Sequence, residues 1–470
     1  MPQFLGVSVS LNSVALPADF QSRLRTALGD RALDEPHDLE RYATDALGIG
    51  APPDLVVLPE STDEISAIAR LCNEHRVPLV VRGAGTGYTG GAVPTRGGVV
   101  LSMERLNRIL EIDDVNLLTV VEPNVITGDL QRAVEAVGLF YPPDPASLES
   151  SSIGGNVAEC AGGPRAFKYG TTKRYVLALE AVLPGGEVIH TGSKAVKNVV
   201  GYDLTQLLVG SEGTLAIITK ITLRLIPRPP ARATLAASFR NVNHAVDAVT
   251  ALLAERVVPA AIELIDADCL REAEKYAGRR ISSGEALLIV ECDGTPAAVA
   301  EEIERVRRAC SAVGAVEVKQ SASDEDREEL WTVRREVSLA LRATGLLKIN
   351  HDVVVPRGRI PQLFEVVEEL KRRFDLRIAC FGHAGDGNIH VNLMIHGDDT
   401  GEIARAKQAE RILFERVVAL EGSISGEHGI GFAKAPYLAL ELDPAQIALL
   451  RRVKQAFDPH GILNPGKIFS

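Results

Sequence analysis

A strand–helix–strand pattern that runs directly into a glycine-rich loop constrains the fold of this chain more than any other feature. Residues 54–58 predict a strand, and a capping box at Ser61 and Glu64 predicts the start of an amphipathic helix. Residues 78–81 predict the next strand, and the glycine-rich segment 82–91 follows at once. Glycine lets backbone N–H groups approach a phosphate closely. The pattern therefore predicts an α/β domain that binds an anionic group.

Two further clusters of small residues accompany this loop, at 152–170 and 210–215. The first loop is not a P-loop, because Lys and Ser/Thr do not close it, and it fits the dinucleotide fingerprint poorly, because no periodic helix follows. A flexible glycine turn is the alternative for that loop taken alone. Three such loops in one domain instead indicate an extended, phosphate-bearing ligand that lies along backbone amides.

The bulk composition excludes several classes of protein. A chain of 470 residues is expected to form two or three domains, since one core rarely exceeds ~250–300 residues. The net charge of −11 and the lack of a long Lys/Arg block argue against nucleic-acid binding. The six cysteines form no C-x-x-C pair, which predicts reduced thiols in a cytoplasmic protein and no iron–sulfur cluster bound by this chain. Neither a signal peptide nor a transmembrane span is expected.

The Pro-rich segment 227–230 is the clearest linker, and the pattern beyond it changes to alternating strands and helices. That alternation predicts a second, α+β domain on an antiparallel sheet. The predicted strands are 234–239, 262–265, 287–292 and 316–319, and the predicted helices are 241–255, 296–313, 324–343 and 359–375. The predicted domains are an N-terminal helical segment at 1–50, the glycine-loop domain at 51–230, the second domain at 231–431, and a C-terminal segment at 432–470 that returns to pack on an earlier domain.

The segment H-A-G-D-G-N-I-H predicts a tight hairpin with a two-residue turn at Asp386-Gly387, in which His383 is paired with His390. Directly opposed residues have Cβ atoms ~4.5–5.5 Å apart, close enough for one divalent metal to bridge both imidazoles. Glu427 and the adjacent His428 could complete the site and supply a base. The alternative is a polar histidine pair at a domain surface. The pair His351-Asp352, which lies close after Lys348 in sequence, could support side chains that contact a ligand.

The order of these motifs resembles that in the vanillyl-alcohol oxidase superfamily. Within it the chain is most similar to the FAD-linked 2-hydroxy-acid dehydrogenases, the branch of the glycolate oxidase flavoprotein subunit, D-lactate dehydrogenase and D-2-hydroxyglutarate dehydrogenase. The resemblance covers nearly the whole chain, and rests on V-R-G-A-G-T-G, P-D-P, I-G-G-N, G-S-E-G, H-A-G-D-G-N-I-H, S-G-E-H-G-I-G and N-P-G-K. It implies an α+β protein with a two-subdomain FAD-binding domain, a substrate (cap) domain with an antiparallel sheet, and a C-terminal return segment.

The resemblance assigns the FAD contacts to the small-residue clusters and the C-terminus, with the first loop on the pyrophosphate. The expected FAD-binding residues are Arg82, Gly83, Ala84, Gly85, Thr86, Gly87, Gly90, Gly91, Asp144, Pro145, Ser152, Gly154, Gly155, Asn156, Gly162, Tyr169, Glu212, Gly213, Ile217, Ile218 and Asn464. Some relatives tether FAD through a histidine in the first loop; none lies there, so FAD is expected to be non-covalent. Ala216 replaces a glycine that is common beside the flavin, which leaves its effect on oxygen access or ring position open.

Substrate residues are expected on the helix predicted at 324–343. Trp331, Arg334 and Ser338 share one helical face, and an arginine fork suits a carboxylate. The resemblance implies that Arg334, Lys348 and Asn392 hold the substrate, with Ser338 on the same helical face as Arg334. The match at Lys348 needs a one-residue gap, and Arg335 is the alternative to Arg334.

The resemblance also implies a mechanism. His383, His390 and Glu427 would bind one divalent metal, Zn²⁺ or Mn²⁺, which would lower the pKa of the substrate hydroxyl. His428 would accept the hydroxyl proton as general base, and the Cα hydride would pass to flavin N5 to give a 2-keto acid. The alternative role for His428 is a structural hydrogen bond.

The leading hypothesis is an FAD-dependent dehydrogenase of D-lactate, glycolate or D-2-hydroxyglutarate. One alternative is a transferase like alkyl-glycerone-phosphate synthase. Such an enzyme would require a long apolar segment that lines a lipid channel, and the sequence shows no obvious one. Another is a non-catalytic flavin electron-transfer subunit, which should lack the His383, His390, Glu427 and His428 set. Electrons would pass to a separate acceptor: an iron–sulfur subunit, an electron-transfer flavoprotein or a quinone. The expected state is a cytoplasmic homodimer, with attachment to the inner membrane face through a partner as an alternative.

Overall fold

The structure is a computed structural model and describes residues 16–469. It forms two compact units, and each is discontinuous in sequence. The first unit comprises residues 16–161, 171–228 and 427–469 of the described chain, and the second comprises 162–170 and 229–426. Of the helical segment expected at 1–50, the first 15 residues lie outside the described part.

The secondary structure is a mixture of helices and strands, numbered here in chain order. The helices are α1 (Ala18–Leu28), α2 (Pro36–Glu40), α3 (Thr62–His75), α4 (Thr127–Glu135), α5 (Ile153–Glu159), α6 (Ala166–Tyr169), α7 (Leu204–Leu208), α8 (Val242–Ala254), α9 (Ala267–Ala277), α10 (Pro296–Ala312), α11 (Asp324–Arg342), α12 (Ile360–Phe374), α13 (Thr400–Ala419), α14 (Leu438–Glu441) and α15 (Pro444–Phe457). The strands are β1 (Ala32–Leu33), β2 (Leu55–Val57), β3 (Leu79–Arg82), β4 (Val99–Ser102), β5 (Ile109–Asp113), β6 (Leu118–Val121), β7 (Leu139–Phe140), β8 (Val176–Val182), β9 (Val188–Gly192), β10 (Ile217–Arg224), β11 (Ile226–Pro227), β12 (Ala231–Phe239), β13 (Ala261–Ile265), β14 (Ala286–Gly294), β15 (Glu317–Gln320), β16 (Leu347–Val354), β17 (Arg377–His383) and β18 (Asn388–Ile395).

The first unit contains the strand–helix–strand pattern predicted from the sequence. Its four-stranded sheet has the order β1-β2-β4-β3, in which β2, β4 and β3 are parallel and β1 is antiparallel. The capping residue Ser61 is confirmed, because its hydroxyl accepts the Glu64 N–H at 3.2 Å. The Glu64 carboxylate reaches back to the N–H of Glu60. The helix α3 packs beside β2 and β3, and the two strands are separated by β4.

A second sheet of the first unit was not predicted from the sequence. It has five antiparallel strands in the order β5-β6-β10-β8-β9. The predicted C-terminal return is confirmed, because Leu463 forms a bridge with Leu79 and the Asn464 N–H donates to the Leu79 carbonyl at 2.8 Å. The last residues of the chain therefore lie beside the strand that leads into the first glycine loop.

The second unit is built on the antiparallel sheet that the sequence predicted. Seven strands lie in the order β15-β12-β14-β13-β17-β18-β16, and every neighbouring pair is antiparallel. Helices α9 and α11 bury one face through a cluster that includes Val337 and Phe381. On the other face, Phe414 of α13 contacts the ring of His351 at a centroid distance of 5.3 Å. The strand β16 and the helices α9 and α13 were not predicted.

The hairpin of β17 and β18 has a different register from the one predicted. His383 lies opposite Asn388, and His390 lies opposite Phe381. The predicted two-residue turn is wrong: a four-residue loop connects the strands, and Gly387 closes it by donating its N–H to the His383 carbonyl at 3.1 Å. The two histidines are therefore diagonal neighbours with ring centroids 5.4 Å apart. They stay on one face because the register shifts by an even number of residues.

Two expectations from composition can be compared with the fold. All six cysteines are free thiols, and all but Cys160 are buried, as predicted. Among the helices of residues 16–469, none is both long enough and apolar enough to cross a membrane.

Candidate active site

The first glycine loop of the first unit begins with a buried guanidinium. Arg82 is 9 % exposed at the end of β3, and its Nη1 has no hydrogen-bond partner among residues 16–469. Burial lowers the pKa of Arg82 from its ordinary value, while the charge of Asp45 opposes that effect. Gly85 has φ +69° and lies so close that a Cβ there would be 2.2 Å from the guanidinium. The loop thus holds a buried N–H donor that an anionic ligand group would satisfy.

The second small-residue cluster is joined to the first by one side chain. The Ser152 hydroxyl caps α5 by accepting the Gly155 N–H, and it also accepts the Ala84 N–H, both at 3.3 Å. Asn156, which is 4 % exposed, donates to the Thr127 hydroxyl at 2.7 Å. Ser152 and Asn156 therefore fix the shape of the loops that were predicted to bind the cofactor.

The third cluster and the C-terminus meet the same loop. The Glu212 carboxylate accepts the N–H groups of Ile430 and Gly431, each at 2.7 Å. The Asn464 side chain donates to the carbonyls of Gly91 and Glu212 at 2.8 and 2.7 Å. The structure therefore brings together four of the predicted cofactor segments and connects them to the S-G-E-H-G-I-G motif.

His428 is held against the first glycine loop within the same unit. Its ring stacks on Tyr88 at a centroid distance of 5.3 Å, and its carbonyl accepts the Thr89 hydroxyl at 3.1 Å. Gly429, with φ +78°, is required next in the chain because a Cβ there would lie 2.1 Å from the Glu159 carboxyl. The backbone around His428 is thus fixed on both sides.

Sequence reasoning missed Glu159, although it closes the I-G-G-N-V-A-E segment. Burial raises the pKa of Glu159 well above its ordinary value, and the charge of Glu212 raises it further. Its Oε2 has no hydrogen-bond partner in the described part of the chain. Burial and the neighbouring charge of Glu212 therefore both disfavour the ionised form of Glu159.

Some predicted cofactor residues have other surroundings. Gly162 and Tyr169 belong to the second unit, where the Tyr169 hydroxyl donates to Asp293 at 2.8 Å. Ile217 is fully buried in a hydrophobic core cluster, so its side chain packs in that core. Ile218 follows it in β10 and is also buried. Asp144, Pro145 and Gly213 lie in loops of the first unit.

In the second unit, the buried carboxylate of Glu263 lies between two predicted site residues, His383 and Arg334. Glu263 itself was not predicted as a site residue. Glu263 of β13 is directly opposite His383 of β17, and the His383 Nδ1 lies 2.6 Å from the Glu263 Oε1. The Arg334 Nε donates to the Glu263 Oε2. Burial alone would raise the pKa of Glu263, but the charges and hydrogen bonds of Arg334 and His383 lower it below its ordinary value. The available signal was one glutamate in the apolar strand A-I-E-L-I.

Of the two candidate arginines on α11, Arg334 is the one that is directed into the unit. It is 4 % exposed, and its guanidinium lies 4.7 Å from the ring centroid of Phe381. The Arg335 side chain is 39 % exposed and pairs with Glu328. This geometry favours Arg334 for a role in a buried site.

The other predicted substrate residues have defined partners in the sheet. The Lys348 ammonium donates to the Ser338 hydroxyl at 2.5 Å, and burial lowers the pKa of Lys348 to about 8. Asn392 is fully buried; its Nδ2 donates to the Ala379 carbonyl at 3.0 Å and its Oδ1 accepts from Asn350 at 2.8 Å. The structure thus pairs Ser338 with Lys348 and gives the Asn392 amide partners within the sheet.

His390 has a carboxylate neighbour, Asp352, which the sequence indicated only as a supporting residue. Asp352 lies directly opposite it in β16, with 3.9 Å between the Asp352 Oδ1 and the His390 Nδ1. The Asp352 carboxylate accepts the Asn388 amide at 2.6 Å and the Gly426 N–H at 3.0 Å. Glu427 follows Gly426 directly in sequence. Zn²⁺ and Mn²⁺ are commonly bound by imidazole and carboxylate groups. The donor types of His390, Asp352 and Glu427 therefore fit a divalent metal.

The attachment of the cofactor gives a first testable prediction. The first glycine loop contains no histidine, so we expect denaturation of the yellow protein to release the flavin fully. The measurement is the flavin absorbance of the precipitated polypeptide and of the supernatant after acid treatment. Colour that stays with the polypeptide would contradict non-covalent binding.

The comparisons with known proteins agree with this geometry. Residues 53–192 match the FAD binding domain model, and residues 228–468 match the model of the C-terminal domain of FAD linked oxidases. The chain is 44 % identical to the glycolate oxidase subunit GlcD of Bacillus subtilis, covering 89 % of each, and 37 % identical to the D-lactate dehydrogenase of Anaerostipes hadrus, covering 89 % of this chain and 90 % of that one.

Two solved structures share the fold at lower identity. The p-cresol methylhydroxylase structure has a TM-score of 0.82 at 18 % identity and 98 % coverage of each chain. The alkyldihydroxyacetonephosphate synthase structure has a TM-score of 0.76 at 20 % identity and covers 97 % of this chain and 87 % of that one. The chain therefore belongs to the FAD-linked oxidases of the vanillyl-alcohol oxidase superfamily and carries their FAD-binding domain.

Proposed function

We propose that the protein is an FAD-dependent dehydrogenase that oxidises a small D-2-hydroxy acid, such as glycolate, D-lactate or D-2-hydroxyglutarate, to its 2-keto acid. The observation that carries the proposal is the buried polar group of the second unit, in which Arg334 and His383 share Glu263. An inward arginine suits a substrate carboxylate, and imidazoles suit a metal that binds the neighbouring hydroxyl. The names of the curated relatives support the same substrate class.

FAD fits the first unit. Arg82, with its unsatisfied buried Nη1, and the backbone of 83–91 would hold the pyrophosphate, and Ser152, Glu212 and Asn464 would keep the surrounding loops in place. FAD supplies a hydride acceptor when it is bound.

A divalent metal fits the donor set of the second unit and the residues that follow it. His383, His390 and Glu427 would hold it, and Asp352, whose ligand atoms lie within 4.8 Å of those of His390, is a further donor. The support for Glu427 is its place in the chain, directly after the Gly426 that hydrogen-bonds to Asp352. Such a metal supplies positive charge that lowers the pKa of a nearby hydroxyl.

The residues of the chain would then position the substrate and move one proton. Arg334 would hold the carboxylate by parallel hydrogen bonds, with Lys348 and Ser338 as a second polar pair and Asn392 as a further contact. His428 would accept the hydroxyl proton, since an imidazole commonly acts as a base near neutral pH. Its backbone carbonyl is held by Thr89, and its ring stacks on Tyr88.

The electrons would leave through a separate acceptor. The relatives named as subunits of glycolate oxidase support a partner protein. We infer that the partner is an iron–sulfur subunit, an electron-transfer flavoprotein or a quinone-linked component, and that it could bring a cytoplasmic chain to the inner membrane face.

A transferase of the alkyldihydroxyacetonephosphate synthase type is the second candidate, and its support is weaker. The likeness to that structure is at 20 % identity and extends to the fold alone. The curated relatives at 37–44 % identity are instead named as an oxidase subunit and a dehydrogenase.

The proposed function predicts that substrate bleaches the flavin without oxygen. The measurement is an anaerobic absorbance titration of the metal-replete protein with D-lactate, L-lactate, glycolate and D-2-hydroxyglutarate in turn. We expect one D-acid or glycolate to bleach the flavin band rapidly and L-lactate to fail.

Arg334→Lys keeps the charge but loses the fork, so we expect it to weaken substrate binding about 10-fold or more, the cost of a charged hydrogen bond. The neighbouring Arg335→Lys is the matched control and should behave as wild type.

In the anaerobic titration of the wild-type protein, a flavin that none of the four acids bleaches would favour the transferase or electron-transfer function.

A further inference from the structure

We propose that Glu263 is a positioning residue for two side chains of the active site. It holds His383 in the tautomer that can bind a metal through Nε2, and it orients the Arg334 guanidinium toward the substrate carboxylate. The inference rests on the proposed function and deepens it. It assigns a role to a buried side chain that lies among the apolar residues of β13.

The first part of the argument is the hydrogen bond to His383. The Glu263 Oε1 lies 2.6 Å from the His383 Nδ1, and the two residues are direct neighbours on paired strands. An ionised carboxylate can only accept, so Nδ1 must carry the proton and the lone pair of the neutral ring lies on Nε2. Metal-binding histidines commonly donate their other ring N–H to a carboxylate in this way, which fixes both tautomer and ring orientation.

The second part is the orientation of Arg334. Its Nε donates to the Glu263 Oε2, and its guanidinium lies over the ring of Phe381 at 4.7 Å. The carboxylate fixes one edge of the fork and the aromatic ring fixes its plane. A substrate carboxylate would take the terminal N–H groups of a fork that is already oriented, which reduces the conformational entropy lost on binding.

The competing explanation is a buried ion pair that only stabilises the sheet. Glu291 allows a matched comparison, because it is 3 % exposed on the adjacent strand β14 and also accepts two side-chain hydrogen bonds. Its donors are Trp331 at 2.8 Å and Thr234 at 3.1 Å, and neither belongs to the proposed metal or substrate set. Both donors reach the same oxygen, Oε2, so glutamine can keep them, and Glu291→Gln is the control for replacing a buried glutamate of the same sheet.

The test compares Glu263→Gln with Glu291→Gln in the full, FAD-loaded protein. His383 and Arg334 bind different oxygens of Glu263, and glutamine would replace one of these oxygens by an NH₂ group, so it cannot accept both hydrogen bonds. We expect Glu263→Gln to weaken Co²⁺ binding about 10–100-fold, measured by competition with a chelator, and to change the visible Co²⁺ spectrum. It should also raise the KM for the hydroxy acid. Glu291→Gln should keep the wild-type Co²⁺ affinity, spectrum and KM.

The outcomes separate this inference from the proposed function. Equal Co²⁺ affinity and equal KM in Glu263→Gln and wild type would overturn the positioning role and leave the dehydrogenase intact. A wild-type protein that binds no Co²⁺ but is bleached by substrate would remove the metal and this inference together. Should Glu263→Gln fail to fold, the double variant Glu263→Gln/Arg334→Met removes the unpaired arginine charge, and an unchanged Co²⁺ affinity there would also overturn the role at His383.

Discussion

Replacing His428 with alanine is expected to leave FAD bound and to slow reduction of the flavin by substrate about 10²-fold or more. The loss is the usual contribution of a general base that accepts a proton in the transition state. FAD should remain because the hydrogen bonds that fix this loop come from its backbone: Thr89 donates to the His428 carbonyl, and Glu212 accepts the N–H groups of Ile430 and Gly431. None of these contacts needs the imidazole.

The measurement is the rate of flavin bleaching after rapid anaerobic mixing of the variant with saturating substrate. His460→Ala is the matched control, since His460 lies in the same unit but is exposed and hydrogen-bonds Asn73. The control should bleach at the wild-type rate. Added imidazole should restore part of the rate to His428→Ala, because a small base can occupy the space of the missing ring.

Two results would contradict this assignment. Bleaching of His428→Ala at the wild-type rate would show that another group takes the proton. Loss of FAD from His428→Ala, with the flavin of the control retained, would instead assign His428 a structural role in holding the FAD-binding loops.

Local features of the fold could be predicted because they depend on neighbouring residues. The helix α3 with its Ser61 cap, the first glycine loop and the antiparallel second unit follow from short-range pattern and turn chemistry. The predicted register of the hairpin was wrong because an Asp-Gly pair is compatible with more than one loop length, and only the packed sheet selects between these lengths. The error was confined to the turn, so both histidines kept the predicted face.

The carboxylates of the site could not be found in the same way. Glu263 meets His383 because β13 and β17 pair, although 120 residues separate them in sequence. Asp352 meets His390 through β16, a strand that was not predicted. Strand order across a sheet is a tertiary property that periodicity does not encode. A charged residue inside an apolar strand is the signal that would have justified naming Glu263 in advance.

Removing the metal is expected to lower turnover about 10³-fold or more while FAD stays bound. A metal that stabilises developing charge contributes several kcal/mol to the transition state, and each ~1.4 kcal/mol is a factor of ten in rate. The proposed ligands His383, His390 and Glu427 are distinct from the residues assigned to FAD, so loss of the metal should leave the flavin spectrum of the protein unchanged.

The experiment is dialysis against a chelator, followed by measurement of metal content, flavin absorbance and turnover on the same sample. Zn²⁺ and Mn²⁺ are then added back separately, and the metal that restores activity at one equivalent per chain identifies the native ion. Chelator presaturated with Ca²⁺ is the control for effects unrelated to metal removal.

A fully active protein with no bound metal would refute the proposed role of the two histidines, His383 and His390. Activity that is lost and that neither metal restores would show that the chelator had acted elsewhere. Recovery in wild type but not in His390→Ala would tie the ion to the sheet face that carries Asp352, because the imidazole opposite that carboxylate would then be required for the metal to act.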